Sequence, residues 1–289
     1  MLLRMALNHL SPDQVASYHR NGYLSPLHAM APAQAQTNLA RYQALCAQEG
    51  GVLTKRSNNK PHLLVPWLAE LVRHPAILDA VEDVIGPNLL CWASGFFHKP
   101  ANSSDFVSWH QDSTYWGLSK PEVVTAWVAF TASLPVSGCM RVIAGTQTQD
   151  QLAHRDTLSS SNMLSRGQEV AVNVDPSKAI DIVLQPGEFS LHHIRIVHGS
   201  EPNCADWPRI GFAIRYIPTD MRQLSAIRDS ATLVRGRDDF GHFDPEPAPQ
   251  SDFHPDAVAF HSSMIERTTQ ILFAGASKKR EYEPLRSPP

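Results

Sequence analysis

The stretch AIDIVLQPGEFSLHHIRIVHGS, residues 179–200, is a series of short runs rich in Ile, Val, Leu and Phe, broken by Pro186-Gly187 and closed by Gly199-Ser200. Apolar, β-branched runs of this length between turn residues read as strands. The same texture recurs outward from it. It appears in NLLCWASGFFHKP (88–100), SDFVSWHQD (104–112), VVTAWVAFTA (123–132), SGCMRVIAG (137–145) and RIGFAIRYIPT (209–219). With 22 prolines and 15 glycines the chain is also rich in turns. Many short strands that do not alternate with helices predict an antiparallel sandwich or barrel and disfavour a parallel sheet.

Helices are predicted on the N-terminal side. In LSPDQVASYHRNGYL (10–24), Ser11 can cap, Pro12 suits the first turn, Gln14 completes a capping box and Asn21-Gly22 supplies the stop. PAQAQTNLARYQALCAQ (32–48) reads as a second helix ending at Gly50-Gly51. VPWLAELVRHPAILDAVEDVIG (65–86) should be split by Pro75 into two pieces. The expected organisation is a single domain over 1–289. Its parts are a helical part over 1–88, a β core over 89–219 carrying a polar, lid-like insertion at 149–168, a polar loop and closing helix over 220–276, and a frayed tail over 277–289.

Composition excludes several functions. The 289 residues are 43% hydrophobic and 18% charged, with 25 basic against 28 acidic residues and a net charge of −3. No basic block suggests a nucleic-acid partner, and no stretch reaches the ~18 apolar residues of a membrane span. Cys46, Cys91, Cys139 and Cys204 are far apart without a C-x-x-C pair, which suits free thiols in a reducing compartment. A cytoplasmic protein is expected.

Side chains alternate on a strand, so the H-x-D of SWHQDSTYWGL (108–118) would turn His110 and Asp112 to one side and Gln111 to the other. The pair could share a metal ion or form only a hydrogen bond. A third ligand is best supplied by His198, at the end of its apolar run. His192 lies six positions back, about 20 Å along one continuous strand, too far to share an ion with His198. His192 and His193 therefore read as ordinary polar histidines, or as pocket residues. Two imidazoles and a carboxylate on one face of a metal suit non-haem Fe(II), and equally catalytic zinc. In PRIGFAIRYIP (208–218), alternation places Ile210, Phe212, Ile214 and Tyr216 on one face. Arg209, Gly211, Ala213 and Arg215 fall on the other, a face suited to an anion lying against the backbone.

Taken together, His110/Asp112, His198 in HGSEPN and Arg209 eleven residues later resemble the phytanoyl-CoA dioxygenase family of Fe(II)/2-oxoglutarate oxygenases. VVTAWVAF followed by SGCMRVIAGT resembles that family's strand–turn–strand segment, and matching features run from about Phe96 to Pro218. The resemblance implies a mainly β protein with flanking helices, a double-stranded β-helix (jelly-roll, cupin-like) core with N-terminal helices packed on one side. It also implies Fe(II), 2-oxoglutarate and O2 as metal and cosubstrates. His110, Asp112 and His198 would bind iron. Arg209, helped by Ser200, would hold the distal carboxylate of 2-oxoglutarate, with Trp127, Thr125 and Lys99 beside the cosubstrate. Related halogenases carry a small residue where Asp112 stands, so hydroxylation, or another oxidation of an unactivated C–H bond, is expected over halogenation. IAGTQ departs from the family's usual Ile-Pro-Gly-Ser-His, and Ala144 and Gln147 would alter a turn near the pocket mouth.

The substrate is expected to be a small molecule, polar or anionic, met by Asn162, Arg166, Gln168 and Arg215, with Arg141, Arg235, Arg237 and His242 as further candidates. Two other readings stand beside this one. The triad could serve an enzyme that does not use 2-oxoglutarate, or the jelly roll could bind a ligand without catalysis.

Overall fold

The computed structural model describes residues 7–157, 161–164, 167–171 and 174–273. Among these residues five α-helices are formed: α1 (Pro12–Asn21), α2 (Pro32–Gln48), α3 (Pro66–Leu71), α4 (Pro75–Ile85) and α5 (Pro255–Leu272). The strands before residue 150 are β1 (Tyr23–His28), β2 (Leu89–Lys99), β3 (Val107–His110), β4 (Val124–Ala129) and β5 (Met140–Ile143). Those after it are β6 (His154–Asp156), β7 (Gln168–Val170), β8 (Ile180–Ile182), β9 (Glu188–His193), β10 (Val197–Ser200), β11 (Arg209–Pro218), β12 (Ser230–Arg235) and β13 (Asp244–Pro245).

The local rules hold where they are strongest. Ser11 Oγ accepts from the Gln14 amide while Gln14 reaches back to the Ser11 amide, the predicted capping box, and Gly22 ends α1 at φ 82°. Pro75 separates α3 from α4. The strands form a major sheet in the order β1-β9-β4-β11-β2-β12-β13 and a minor sheet β3-β10-β5-β8, with β6 and β7 as a separate ladder. Pairing is antiparallel except between β12 and β13. Two antiparallel sheets facing one another across a cavity, with helices on the outside, are the expected jelly roll.

Alternation on β11 positions the core. Ile210, Phe212, Ile214 and Tyr216 join one buried cluster with Leu39, Tyr42, Leu68, Ile77 and Val81 of the helices. Full burial of each such side chain stabilises by about 1.5–3 kcal/mol. The Tyr216 hydroxyl is satisfied by the Val72 carbonyl at 2.9 Å. The opposite face of β11 is left to the cavity, where Gly211 lets Trp127 lie flat on the backbone. A Cβ at position 211 would stand 2.0 Å from the indole.

The structure corrects four expectations. The N-terminal part is not wholly helical, because β1 pairs with β9 at the edge of the major sheet. The polar insertion is not all loop, because β6 pairs with β7. Part of the later polar segment is β12, which pairs with β2. Finally, β9 and β10 are separate strands in different sheets rather than one extended run. Among the described residues no helix is long and apolar enough to cross a membrane.

Beyond its pairing with β12, the edge of β2 is covered by residues 57–63. Asn58 pairs its side-chain amide with both the N–H and the C=O of Phe96 (2.7 and 2.9 Å). The Lys60 amide donates to Ser94 O at 3.0 Å. Lys60 adopts φ 52°, an unfavourable conformation for lysine. A buried network holds it there. Lys60 Nζ meets Glu246 Oε1 at 2.6 Å and Ser230 O at 2.7 Å, and Thr232 Oγ1 donates to Glu246 Oε2 at 2.6 Å. His62 Nε2 lies 3.5 Å from the same carboxylate. Removing one partner of such a pair strands the other charge. Glu246→Ala should therefore cost about 3–5 kcal/mol, read as a lower denaturant midpoint. The double variant Lys60→Met/Glu246→Leu should recover much of that loss.

Candidate active site

His110 closes β3 and His198 lies on β10, and antiparallel pairing sets the two residues directly opposite each other. Their ring centroids are 4.1 Å apart. Asp112 is not on the strand as alternation suggested. It opens a short 3-10 turn, Asp112–Tyr115. Its carboxylate nevertheless swings to the same side, with Oδ1 3.3 Å from His110 Nε2. One ligand atom from each of the three residues lies within 4.8 Å of the others, and all three are buried.

Local hydrogen bonds set this geometry. The Asp112 amide donates to Ile194 O at 3.0 Å. Gln111, turned away as expected, is fully buried and holds the backbone from behind. Its Nε2 donates to Arg195 O at 2.8 Å and its Oε1 accepts from the Leu152 amide at 2.8 Å, while its own amide donates to His154 Nε2 at 2.9 Å.

The donor set fits a divalent cation. His110 Nδ1 and His198 Nδ1 face the carbonyls of Ser108 and Ile196 at 2.9 and 3.0 Å. A carbonyl only accepts, so each Nδ1 carries the proton and Nε2 is left as the lone-pair donor that a metal needs. Burial, reinforced by His110, pushes His198 down to about 4, so this imidazole is neutral at ordinary pH. Burial alone would raise the Asp112 carboxyl. The surrounding polar groups, the imidazoles of His110 and His198 and then the Arg215 guanidinium, outweigh that and hold it below the usual carboxylate range. A lone pair and a carboxylate oxygen at 3.3 Å call for a positive charge between them.

His192 is where sequence reasoning failed. Its ring centroid is 5.0 Å from that of His198, not about 20 Å away. The chain turns at Ile194–Ile196, where the Ile196 amide donates to His193 O at 3.0 Å, and then crosses to the other sheet. Burial and the neighbouring His198 hold His192 well below its ordinary pKa.

A cavity of about 580 Å³ runs from the histidines along the inner face of the major sheet. Arg209 lies at one end, 2% exposed, stacked over Trp127 at 5.4 Å and donating through Nη1 to Gly138 O at 2.6 Å. Its Nε has no partner among the described residues. Lys99 stands opposite it on β2 and is fully buried. Lys99 Nζ donates to Ser200 Oγ at 2.7 Å and also to the Glu201 carbonyl. Burial, and then the charge of Arg209, pull Lys99 down to about 7. Ser200 is two residues beyond His198 on β10, about 7 Å along the strand.

Thr125, Asn162, Gln168 and Arg215 also line this cavity. Asn162 is oriented by its Nδ2 donating to Ser108 Oγ at 2.9 Å. Arg166 lies outside the described residues. The remaining sequence candidates are elsewhere. Arg141 pairs with Asp181 (3.2 Å), Arg235 with Asp79 (2.6 Å) and Arg237 with Asp239 (2.8 Å), while Arg222 donates to His242 Nε2 at 3.2 Å. Gln147 does not shape the pocket mouth. It donates to the His19 and Arg20 carbonyls at 3.0 and 3.1 Å, tying its turn to the end of α1. Phe97, Asp229, Thr268 and Leu272 also line the cavity and escaped sequence reasoning. Phe97 shares a strand face with Lys99, and Thr268 and Leu272 are four apart on α5. Both periodicities are legible, but only once those faces are known to meet the site.

The model of the phytanoyl-CoA dioxygenase (PhyH) family matches residues 18–211. The chain is 27% identical over 177 residues to a probable alpha-ketoglutarate-dependent hypophosphite dioxygenase of Stutzerimonas stutzeri, covering 60% of this chain and 61% of that protein. It is 23% identical to the ectoine dioxygenase of Bordetella parapertussis, covering 72% of this chain and 75% of that protein. The apo structure of the non-haem monooxygenase ThoJ superposes with TM-score 0.80 at 35% identity, over 90% of this chain and 97% of that one. CytC3 with Fe(II) and alpha-ketoglutarate superposes with TM-score 0.64 at 26% identity, over 86% and 98%.

Gln111 fixes the H-x-D backbone without facing the cluster. Gln111→Ala should weaken binding of a divalent iron-type ion by about ten- to a hundredfold, measured by metal titration. His198→Ala, which removes a donor, should cost more. Near-native affinity in both variants would remove the cluster as the metal site.

Proposed function

The chain belongs to the phytanoyl-CoA dioxygenase family, and on that premise we propose how its residues divide the work of an Fe(II)/2-oxoglutarate-dependent dioxygenase acting on a small metabolite. His110, Asp112 and His198 would hold the iron through two imidazole nitrogens and a carboxylate oxygen. Arg209, Lys99 and Ser200 take the far carboxylate of 2-oxoglutarate, with Trp127 along its length. When bound, iron, 2-oxoglutarate and O2 supply the oxidising power to functionalise an unactivated C–H bond, with release of succinate and carbon dioxide.

One observation carries this reading. Two buried cations, Arg209 and Lys99, face each other on paired strands, and among the described residues neither has a carboxylate partner. Their hydrogen bonds go to Ser200 Oγ and to backbone carbonyls. Buried like charges side by side are costly unless an anion joins them. A metal enzyme that does not use the diacid would leave both without a task, and a silent jelly roll would not need the complete triad. A carboxylate at position 112 fills the place a halide would need, which supports hydroxylation over halogenation. The core cluster spanning Leu10 to Tyr216 supports one catalytic domain, and four unpaired cysteines support a reducing, cytoplasmic setting.

The remaining work of the chain is positioning and exclusion of water. The 3-10 turn after His110 and the Gln111 anchors hold the ligand atoms. Trp127, pressed onto Gly211, walls the cosubstrate channel, and Arg209 is oriented by Gly138 O before any ligand arrives.

Protein with Fe(II) and 2-oxoglutarate under anaerobic conditions should show the weak visible charge-transfer band of a chelated keto acid. Arg209→Ala should raise the 2-oxoglutarate needed for that band about thirtyfold or more, as loss of a buried charged hydrogen-bond partner costs about 2–5 kcal/mol. Metal content should stay near normal. An unchanged requirement would remove the clamp assignment. The pH dependence has a definite sign. Lys99, at about 7 in the free protein, already carries its proton at lower pH, whereas above that value binding the dianion must first recharge it. Affinity for 2-oxoglutarate should thus weaken as pH rises through about 7, and Lys99→Met should flatten that slope.

A further inference from the structure

Six residues beyond Arg209 on the same face of β11 stands Arg215, about 20 Å away at the backbone. Its guanidinium lies 5.4 Å from the Trp116 ring and 5.9 Å from the Phe97 ring. It lines the cavity and keeps partial exposure there, and its Nε is unpartnered. Strand register extends it into a row, for Arg215 pairs with Thr125 on β4 and Thr125 pairs with His192 on β9. Thr125 is 1% and His192 3% exposed, and both line the cavity. Among the described residues Thr125 Oγ1 and His192 Nδ1 have no hydrogen-bond partner. A buried polar group without a partner costs about 1–3 kcal/mol, so three in one cross-strand row point to a ligand that completes them.

We propose that the row His192–Thr125–Arg215 is the substrate's own carboxylate subsite, at the other end of the inner face of β11 from the cosubstrate clamp and against His198, whose ring lies 5.0 Å from that of His192. The inference rests on the reading of Arg209 as that clamp. A five-carbon diacid held at Arg209 does not span the distance to Arg215, so the second arginine serves a second molecule. A planar guanidinium stacked between two rings presents its N–H edge to one carboxylate in paired hydrogen bonds. The charge balance selects a monoanion. The lining carries Lys55, Lys60 and Lys99 against Asp105, Asp112 and Asp229; Lys60 is bound to Glu246 and Lys99 lies at the other end, a balance that disfavours a dianionic phosphate at Arg215. Apolar side chains share the lining beside this row, among them Trp92, Phe97, Trp116, Met163, Leu164 and Leu272. The substrate class is therefore a monocarboxylate with an apolar body.

The test uses 3-phenylpropionate and hexanoate against their primary amides. Binding is read by tryptophan fluorescence on protein loaded with Zn(II) and 2-oxoglutarate, which cannot turn over. The acids should bind about tenfold or more tightly than the amides, the scale of a charge-assisted pair. Arg215→Gln should abolish that preference, Thr125→Val should narrow it, and Arg215→Lys should keep part of it. The charge-transfer titration of 2-oxoglutarate should be unchanged in both Arg215 variants. Equal affinity of acid and amide, or no binding by either acid, overturns the inference. So does a loss of 2-oxoglutarate binding in Arg215→Gln as large as that in Arg209→Ala, which would assign the row to the cosubstrate. Normal 2-oxoglutarate binding in Arg209→Ala strikes the clamp reading instead, and leaves the acid-over-amide result to be read by itself.

Discussion

The register of β10 against β3 is the constraint on which the site depends. It places His198 across from His110, on two strands nearly ninety residues apart in the chain, and a shift of one residue would turn one imidazole out of the cavity. The register is held from both sides. On one, β10 also pairs with β5, setting His198 against Val142. On the other, Gly199 lies so close to β3 that a Cβ there would stand 2.9 Å from Val107 O. A side chain at 199 would push the two strands apart and separate the ligand atoms.

The major sheet contributes the complementary surface. Its outer face is apolar and packs on the helices. Its inner face carries charge at two separated levels, Arg209 with Lys99 at one and Arg215 with Thr125 and His192 at the other. Small residues fill the interval, Gly211 and Ala213 on β11 and Gly95 on β2. The floor between the two charged levels is thus low, with the Trp127 indole lying flat across Gly211, while His110 and His198 rise from the opposite sheet. His110 and His198 belong to one sheet and Arg209, Lys99 and Arg215 to the other, so the distance between these two sets is fixed by how the sheets pack rather than by any one loop.

Much of this was legible in the sequence because it follows period-two alternation within a single strand. Arg209 and Arg215 fall on one face and Ile210, Phe212, Ile214 and Tyr216 on the other by counting alone, and the N-terminal helices announce themselves by Ser11, Pro12 and Pro75. What was lost depends on where strands end. His192 and His198 looked distant because Ile194–Val197 is apolar enough to pass for continuous strand. The turn there is made by a backbone hydrogen bond that no residue type signals. Asp112 reached the right place by a turn rather than by alternation, so the correct conclusion there rested on an incorrect premise. The lining from α5 was hidden for another reason, since nothing local states which cavity a C-terminal helix will cover.

The bonded core around Lys60 and Glu246 bears on how this scaffold can diverge. Lys60 and Ser94 belong both to the cavity wall and to the network that fastens residues 57–63 onto β2 and β12. A mutation that reshapes that wall therefore also unfastens the fold, and selection for a new substrate would be penalised there before any benefit appeared. The segment around Asn162–Leu164 and the last turn of α5 line the cavity outside that network, and adaptation to different metabolites has its more open ground on that side of the cavity.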